Sequence, residues 1–508
     1  MEHMPFTPGT KRKYSGEQIE RAVSHGGPDA SLEVSGPARP GTTQHGRPAR
    51  GRSAEGCGED YFLNLYSAGP DFHQLGLKHR DFGAMLRDGV HLDFTDPAAV
   101  LQLTKTLLKE HFGLQIHLRP DRLCPPVPNR HNYILWLKDL LDSTASSYSE
   151  QYEPERRVTG LDIGTGASLI YPLLGCAQRP AWCFVATDVD ADSLSSARAN
   201  ARLNHLESRI RIADRLASDP LIPLNDLSID SIDFVMVNPP FYESDAELLD
   251  LATQKALPPH SACTGAPVEM VCEGGEVGFV ERMIDESLVL GDRVQWYTAM
   301  LGKQSSLGVL VDVLKKHGIK NYAVTNFIQG SKTRRWALGW SFLARRPSLG
   351  ASRGYGSFAA KKILPPPTAI TIYESPTQGR TDLVPVIKKT LCDTIEALDL
   401  FSWTWDEQRL RGVGFAEGNV WSRAYRRRRA AGSEVGKQEA SVQPSGIAAC
   451  AFGFSLTIQR EIPDKPSNGF AVSLRWLQGD DESIFESFVG VIRRSLRIHT
   501  TGSGAPES

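Results

Sequence analysis

No stretch of the 508 residues approaches the roughly 18 to 20 consecutive apolar residues that cross a bilayer. The opening MEHMPFTPGTKRKY also lacks the apolar segment of a secretory signal, so a soluble, intracellular protein is expected. Charge of one sign is not in excess: 57 Lys plus Arg face 59 Asp plus Glu, a net −2. That excludes a globally basic binder, and any nucleic-acid surface must be local. The eight cysteines, at positions 57, 124, 176, 183, 263, 272, 392 and 450, form no C-x-x-C pair, and the 13 histidines include no H-E-x-x-H. Neither a zinc site nor a disulfide framework is expected, and the thiols read as buried or incidental ones in a reducing compartment. No repeat of 20 to 50 residues is visible.

What is present is an ordinary globular balance, 41% hydrophobic and 23% charged, which excludes a wholly disordered chain. At roughly 150 residues per domain the length predicts about three folding units, or two large ones with tails. Residues 1–58, rich in Gly, Pro, Ser and Arg, read as a disordered tail that cannot repay its ordering entropy. Residues 59–156 read as a helical cap, with Asp96-Pro97 opening a helix that runs to about Phe112. Across 157–346, strand-like runs (VTGLDI, WCFVATD, SRIRIA, SIDFVMVN) alternate with helix-like runs, the signature of a doubly wound, mainly parallel sheet. A Gly/Ser stretch ending in three prolines, 347–367, reads as a linker without a core of its own. Residues 368–498 predict an accessory α+β domain, and 499–508 a second tail.

Three motifs carry chemistry. Leu161-Asp162-Ile163-Gly164-Thr165-Gly166 takes an apolar strand into a Gly-x-Gly turn, where the missing side chains let a ligand approach the backbone. Such turns serve methyltransferases and dinucleotide enzymes, or packing alone. Leu169 at the third position of G-x-G-x-x-G argues against the pyrophosphate-binding form, and Asp162 suits a methyltransferase, where an acid near the turn holds the methionyl ammonium. Asp188 ends the next strand, 24 positions after Gly164, where a carboxylate can accept two ribose hydroxyls. The alternative role for Asp188 is an N-cap for the following helix. The third motif, Asn238-Pro239-Pro240-Phe241, follows the strand IDFVMV. An exocyclic amine on an aromatic base is a poor nucleophile because its lone pair is delocalised. The Asn238 side-chain oxygen and the Pro239 carbonyl can accept its two hydrogens and favour a pyramidal nitrogen. Two prolines fix the backbone, and Phe241 can stack on a base taken out of its helix.

These residues resemble the methyltransferase-like protein 16 family of RNA N6-adenine methyltransferases acting on U6 small nuclear RNA, as a fungal-type or otherwise divergent member. The resemblance runs from about Pro70 to Ala344 and includes Pro70-Asp71-Phe72, Val127-Pro128-Asn129-Arg130-His131-Asn132-Tyr133, LDIGTGASLIYPLLG, VNPPF, EGGEVGFV, WYTAMLGKQSSL and RWALGW. It implies a Rossmann-like class I methyltransferase domain and S-adenosylmethionine as cofactor, bound by Arg130, Gly164, Asp188 and Asn238, with Arg130 on the cofactor carboxylate. Asp188 replaces the glutamate expected in animal members. The loop 214–219 lacks their Lys-Thr pair, and ungapped counting puts Asp219 there as a cofactor contact. Lys303, Lys332, Arg334 and Arg335 supply local positive charge for RNA phosphates. The loop 241–273 lacks the arginine cluster of animal members.

The implied partner is a structured stem-loop of U6 RNA with an unpaired adenosine, with structured messenger-RNA hairpins left open as a second substrate. The implied site of action is the nucleus, with the cytoplasm left open. Lys11-Arg12-Lys13 reads as a phosphate grip or an import signal. Tyr425-Arg426-Arg427-Arg428-Arg429 reads either as RNA affinity or as a solvated loop. Two other readings share the motifs: methylation of DNA adenine or of a protein glutamine amide, and a non-catalytic, cofactor-sensing RNA-binding regulator.

Overall fold

A computed structural model describes residues 58–243, 267–329, 333–354, 361–375, 383–432, 450–459 and 469–500. The residue Lys332, the segment Lys11-Arg12-Lys13, the tails apart from residues 58, 499 and 500, and most of the loop 241–273 lie outside these. The N-terminal region carries helices Glu59–Asn64, Phe72–Lys78 and Arg80–Gly83, then a small hairpin of β1 (Leu86–Arg87) and β2 (His91–Leu92) where only helix was expected. The next helix, Pro97–Phe112, begins and ends as its sequence dictates. Asp96 caps it by accepting the Ala98 N–H, proline takes its first turn, and Gly113 ends it at φ 68°.

Residues 114–119 then run along a neighbouring helix, Ala191–Leu203, and its C-cap, before a turn at 120–122. Asn200 Oδ1 accepts the His117 N–H at 2.8 Å while its Nδ2 donates to the His117 carbonyl at 3.1 Å. Four residues on, Asn204 does the same for Gln115, at 2.9 and 2.7 Å. Spaced i, i+4 on one helical face, two amides replace the strand this segment lacks. Helix Val127–Ser143 follows and is buried on most of its surface.

Seven strands form the central sheet: β3 (Val158–Ile163), β4 (Trp182–Asp188), β5 (Ile210–Asp214), β6 (Ile232–Val237), β7 (Val294–Leu301), β8 (Tyr322–Gln329) and β9 (Thr333–Trp340). Their order is β5-β4-β3-β6-β7-β9-β8, with β9 antiparallel to both neighbours and the others parallel. β7 is buried at every position, as a strand covered on both faces must be. Gly160 on β3 is a glycine because the Phe234 ring occupies the space of a Cβ, 2.2 Å from the nearest ring carbon. Order reverses between β3 and β6, which opens a crevice at their carboxyl ends. The doubly wound expectation holds.

The accessory domain is a five-stranded antiparallel sheet of β10 (Ala369–Glu374), β11 (Ser402–Asp406), β12 (Arg411–Ala416), β13 (Phe452–Gln459) and β14 (Ala471–Gln478), in the order β10-β14-β13-β12-β11. Helices Leu383–Glu396 and Glu482–Thr500 pack with it around Phe452, Phe454, Trp476, Phe485 and Phe488. The last helix runs two residues into the stretch expected as a tail.

Of the stretch 347–367 read as a linker, residues 355–360 lie outside the described ones, and part of the rest is helical. Helix Leu349–Arg353 sits there, capped by Ser348, and Ala351 is 1% exposed with its carbonyl accepting the Trp136 indole N–H at 2.8 Å. Its Gly/Ser composition suggested freedom, but a buried tryptophan needed an acceptor. The accessory domain is docked through this region. The Arg346 guanidinium lies 4.3 Å over the Trp476 ring and donates to the Gly479 carbonyl at 2.7 Å. Glu150 receives Arg411 at 3.0 Å and also pairs with Arg475, whose guanidinium donates to the Ser143 carbonyl.

Candidate active site at the carboxyl edge of the sheet

β3 delivers its chain into a turn with Gly164 at φ 67° and Gly166 at φ 63°, a region that side chains rarely adopt. A Cβ built at Gly164 would meet nothing within 4 Å among the described residues. Leu169 is also left-handed at φ 56° but wholly buried in the core, so the departure from G-x-G-x-x-G is a packing residue.

Of the two roles open to Asp188, the helix cap belongs to another residue. The helix Ala191–Leu203 is capped by Asp190, which accepts the Ser193 N–H at 2.9 Å. Asp188 instead accepts the Gly166 N–H at 2.8 Å on one oxygen and the Asp190 N–H at 3.0 Å on the other. It therefore belongs to the glycine turn, and burial raises its carboxyl above the usual range. Asp162 is 1% exposed. Thr165 donates to one of its oxygens at 2.7 Å, and the other is buried without a hydrogen-bond partner among the described residues. Burial pushes its carboxyl up to about 7, Asp188 adds to the rise, and Thr165 and Arg130 oppose it.

Arg130, in the first turns of helix Val127–Ser143, is 5% exposed. Its Nη1 faces the Met300 sulfur at 3.4 Å, and its guanidinium lies 5.5 Å from the Tyr171 ring centre. A thioether is a weak acceptor, and a carboxylate would be a far stronger partner for a desolvated guanidinium.

Asn238 follows β6 directly, and its Oδ1 is buried with no hydrogen-bond partner among the described residues. Such an atom costs stability unless a ligand uses it. Phe241, three residues on, stands with the Arg335 guanidinium 5.5 Å from its ring centre. Beyond it, Tyr242 is held against Met270 and Cys272 by two backbone hydrogen bonds of 3.0 Å, so both ends of the intervening loop are pinned at the site.

The other sequence-predicted residues divide. Arg335 reaches the site, whereas its neighbour on β9, Arg334, is exposed; adjacent strand residues face opposite sides. Lys303 is exposed on the turn after β7. The carboxylate of Asp219, read as a cofactor contact, accepts the Leu216 N–H at 2.9 Å and pairs with Arg215 at 3.3 Å within its own loop.

Two further acids stand at the site, Glu269 outside every motif and Glu276 inside EGGEVGFV but with no role read for it. Glu269 accepts the Leu123 N–H at 3.0 Å, and its other oxygen stands 3.7 Å from where a Gly166 Cβ would be. Glu276, 3% exposed, accepts the Gly302 and Lys303 N–H groups. Their partners are backbone amides distant in sequence, which leave no spacing signal.

The model of a family described as RNA methyltransferase matches residues 58–344. The U6 small nuclear RNA (adenine-(43)-N(6))-methyltransferase of Schizosaccharomyces pombe is 34% identical over 410 residues, spanning 80% of this chain and 95% of that protein. The human RNA N(6)-adenosine-methyltransferase METTL16 is 42% identical over 287 residues, 54% of this chain and 48% of that protein, so the chain spans about half the length of this relative. Among solved structures, the hMettl16 catalytic domain in complex with MAT2A 3′UTR hairpin 1 is 40% identical, with 54% of this chain and 91% of that one covered and a TM-score of 0.48. With its family model covering more than half the sequence and a relative matched over nearly its full length, the chain belongs to the RNA methyltransferase family.

Proposed function

We propose that this protein is an S-adenosylmethionine-dependent RNA adenine-N6 methyltransferase whose substrate is U6 small nuclear RNA, presented as a stem-loop with an unpaired adenosine. The observation that carries the reading is the buried Oδ1 of Asn238, without a hydrogen-bond partner among the described residues, at the carboxyl end of β6, in the crevice that the glycine turn shares. An acceptor kept dry and free is what an exocyclic amine needs.

The residues around it fit the cofactor. Arg130 offers a desolvated guanidinium to a carboxylate, Asp162 an unpartnered buried oxygen to an ammonium, and Asp188 two oxygens to a ribose. The cofactor supplies an electrophilic methyl group on a sulfonium. The chain's own part is to hold the amine through Asn238 and Pro239, to fix that backbone with Pro240, to stack the base on Phe241, and to keep water out. Arg335 and Lys303 supply cationic groups beside the base site for phosphate, and the exposed arginines of helix Arg423–Gly432 supply a second cationic surface. A substrate of this kind implies action in the nucleus. Among the described residues no helix is long and apolar enough to cross a membrane.

The test is methyl transfer from labelled S-adenosylmethionine to total RNA of the source cells, with Asn238→Ala alongside. One N6-methyladenosine in U6 RNA, lowered by about 10²-fold or more in the variant while the cofactor still binds, is expected. Transfer to DNA or protein instead, or cofactor binding with no transfer, would reject the reading.

A further inference from the structure

Glu276 is a buried acid to which the reaction above gives no role. It is the second residue of helix Gly275–Leu290, entered from the left-handed Gly274 at φ 70°. One carboxylate oxygen accepts the Gly302 N–H at 2.6 Å, and the other accepts the Lys303 N–H at 3.1 Å. A carboxylate spread over two consecutive amides fixes the course of the chain leaving β7, because charge-assisted bonds are about twice as strong as neutral ones.

That turn abuts the ring expected to stack on the base. A Cβ at Gly302 would stand 3.0 and 3.3 Å from two carbons of Phe241 and 3.2 Å from the Glu276 carboxylate. Gly302 is glycine because ring and carboxylate already fill the space. β9 brings the Arg335 guanidinium to the same ring; burial and Arg130 lower the pKa of that guanidinium, and Glu276 opposes them.

We propose that Glu276 is a positioning residue for base capture: by fastening the Gly302–Lys303 turn it sets the orientation of Phe241, and with it the tilt of an extruded adenine beside Asn238. The proposal rests on the adenine-N6 reading of this site. It also accounts for an ionisable group sunk where an apolar residue would pack more cheaply, since an apolar side chain would leave two amides without an acceptor.

The experiment compares the full chain with Glu276→Gln and Gly302→Ala. The first keeps shape but turns an amide NH₂ toward one of the two N–H donors; the second leaves Glu276 intact and presses on the ring. Each is titrated with S-adenosylmethionine, assayed on a stem-loop RNA with an unpaired adenosine, and mixed with the same RNA carrying 2-aminopurine at that position. Both variants are expected to bind cofactor within about twofold of wild type and to lose about ten- to hundredfold in kcat/KM for RNA. Both should also alter the 2-aminopurine fluorescence change on binding. Unchanged kcat/KM in a folded variant, an unaltered fluorescence change, or an equal loss of cofactor binding overturns the proposal. If Glu276→Gln does not fold, Gly302→Ala decides alone. Absence of RNA methylation by the wild type would instead overturn the functional reading on which the proposal stands.

Discussion

The Asp188 carboxylate accepts the Gly166 amide at 2.8 Å, which ties the end of β4 to the turn after β3 and makes the two loops one binding surface. Each oxygen of Asp188 carries one backbone hydrogen bond and retains a lone pair for a ribose hydroxyl. Asp188→Ala is expected to weaken S-adenosylmethionine binding by about ten- to hundredfold, the worth of about 1.5–3 kcal/mol for a hydrogen bond to a charged group. Asp188→Glu, which keeps the carboxylate, should retain most of the affinity. Calorimetric titration measures both, and an unchanged Kd in the alanine variant would remove Asp188 from the site.

Asp162 is expected to make cofactor binding depend on pH. Its carboxyl is pushed up from 3.8 to about 7 in the folded protein, chiefly by burial. The folded value lies above the unfolded one, so the group's contribution to stability is full below pH 3.8 and is lost as pH rises through about 7. Ligand-free protein should therefore lose up to a few kcal/mol relative to Asp162→Asn across that window. A cationic ligand favours the ionised form, so binding near pH 6 should release a proton and tighten as pH rises. Calorimetry in two buffers of different ionisation enthalpy reads the proton, and Asp162→Asn should abolish its release.

The arginine run 426–429 lies on helix Arg423–Gly432 with all four side chains exposed, so the solvated-loop alternative does not describe it. Arg429 pairs with Asp399 at 3.1 Å. The triple variant Arg426→Ala, Arg427→Ala, Arg428→Ala should weaken RNA binding and flatten the dependence of log K on log salt by about one unit for each phosphate no longer neutralised. Methyl transfer at saturating RNA should be unaffected. An unchanged salt slope would leave the helix as a solvated face.

Glu150 is the acid where the two domains meet, flanked by Arg411 and by Arg475, whose pKa burial lowers to about 10. Removing it strands two partly buried guanidiniums. Glu150→Ala is expected to destabilise the chain by about 2–3 kcal/mol, and limited proteolysis should then cut between residues 340 and 368 sooner than in wild type. A single, unshifted thermal transition would show that the clasp is dispensable.

The edges of β3 and β4 were legible in the sequence because parallel strands buried on both faces read as unbroken apolar runs, and the glycine turn was legible because only glycine tolerates its dihedral angles at low cost. The hairpin of β1 and β2 was hidden by its length of two residues per strand. Helix Leu349–Arg353 was hidden because its composition suits a linker and its stability comes from Trp136, more than two hundred positions away.

The sequence by itself determined the alternation of strands and helices along the chain, the place of Asn238 after a buried strand, and the acid at the end of β4, since each follows from local periodicity and residue chemistry. Tertiary structure alone decided that Asp190 rather than Asp188 caps the helix, that Asp219 spends its carboxylate on its own loop, and that Glu276 holds the turn beside Phe241. Those outcomes depend on which backbone N–H a carboxylate can reach once the sheet has assembled, and that geometry is written in no single stretch of residues.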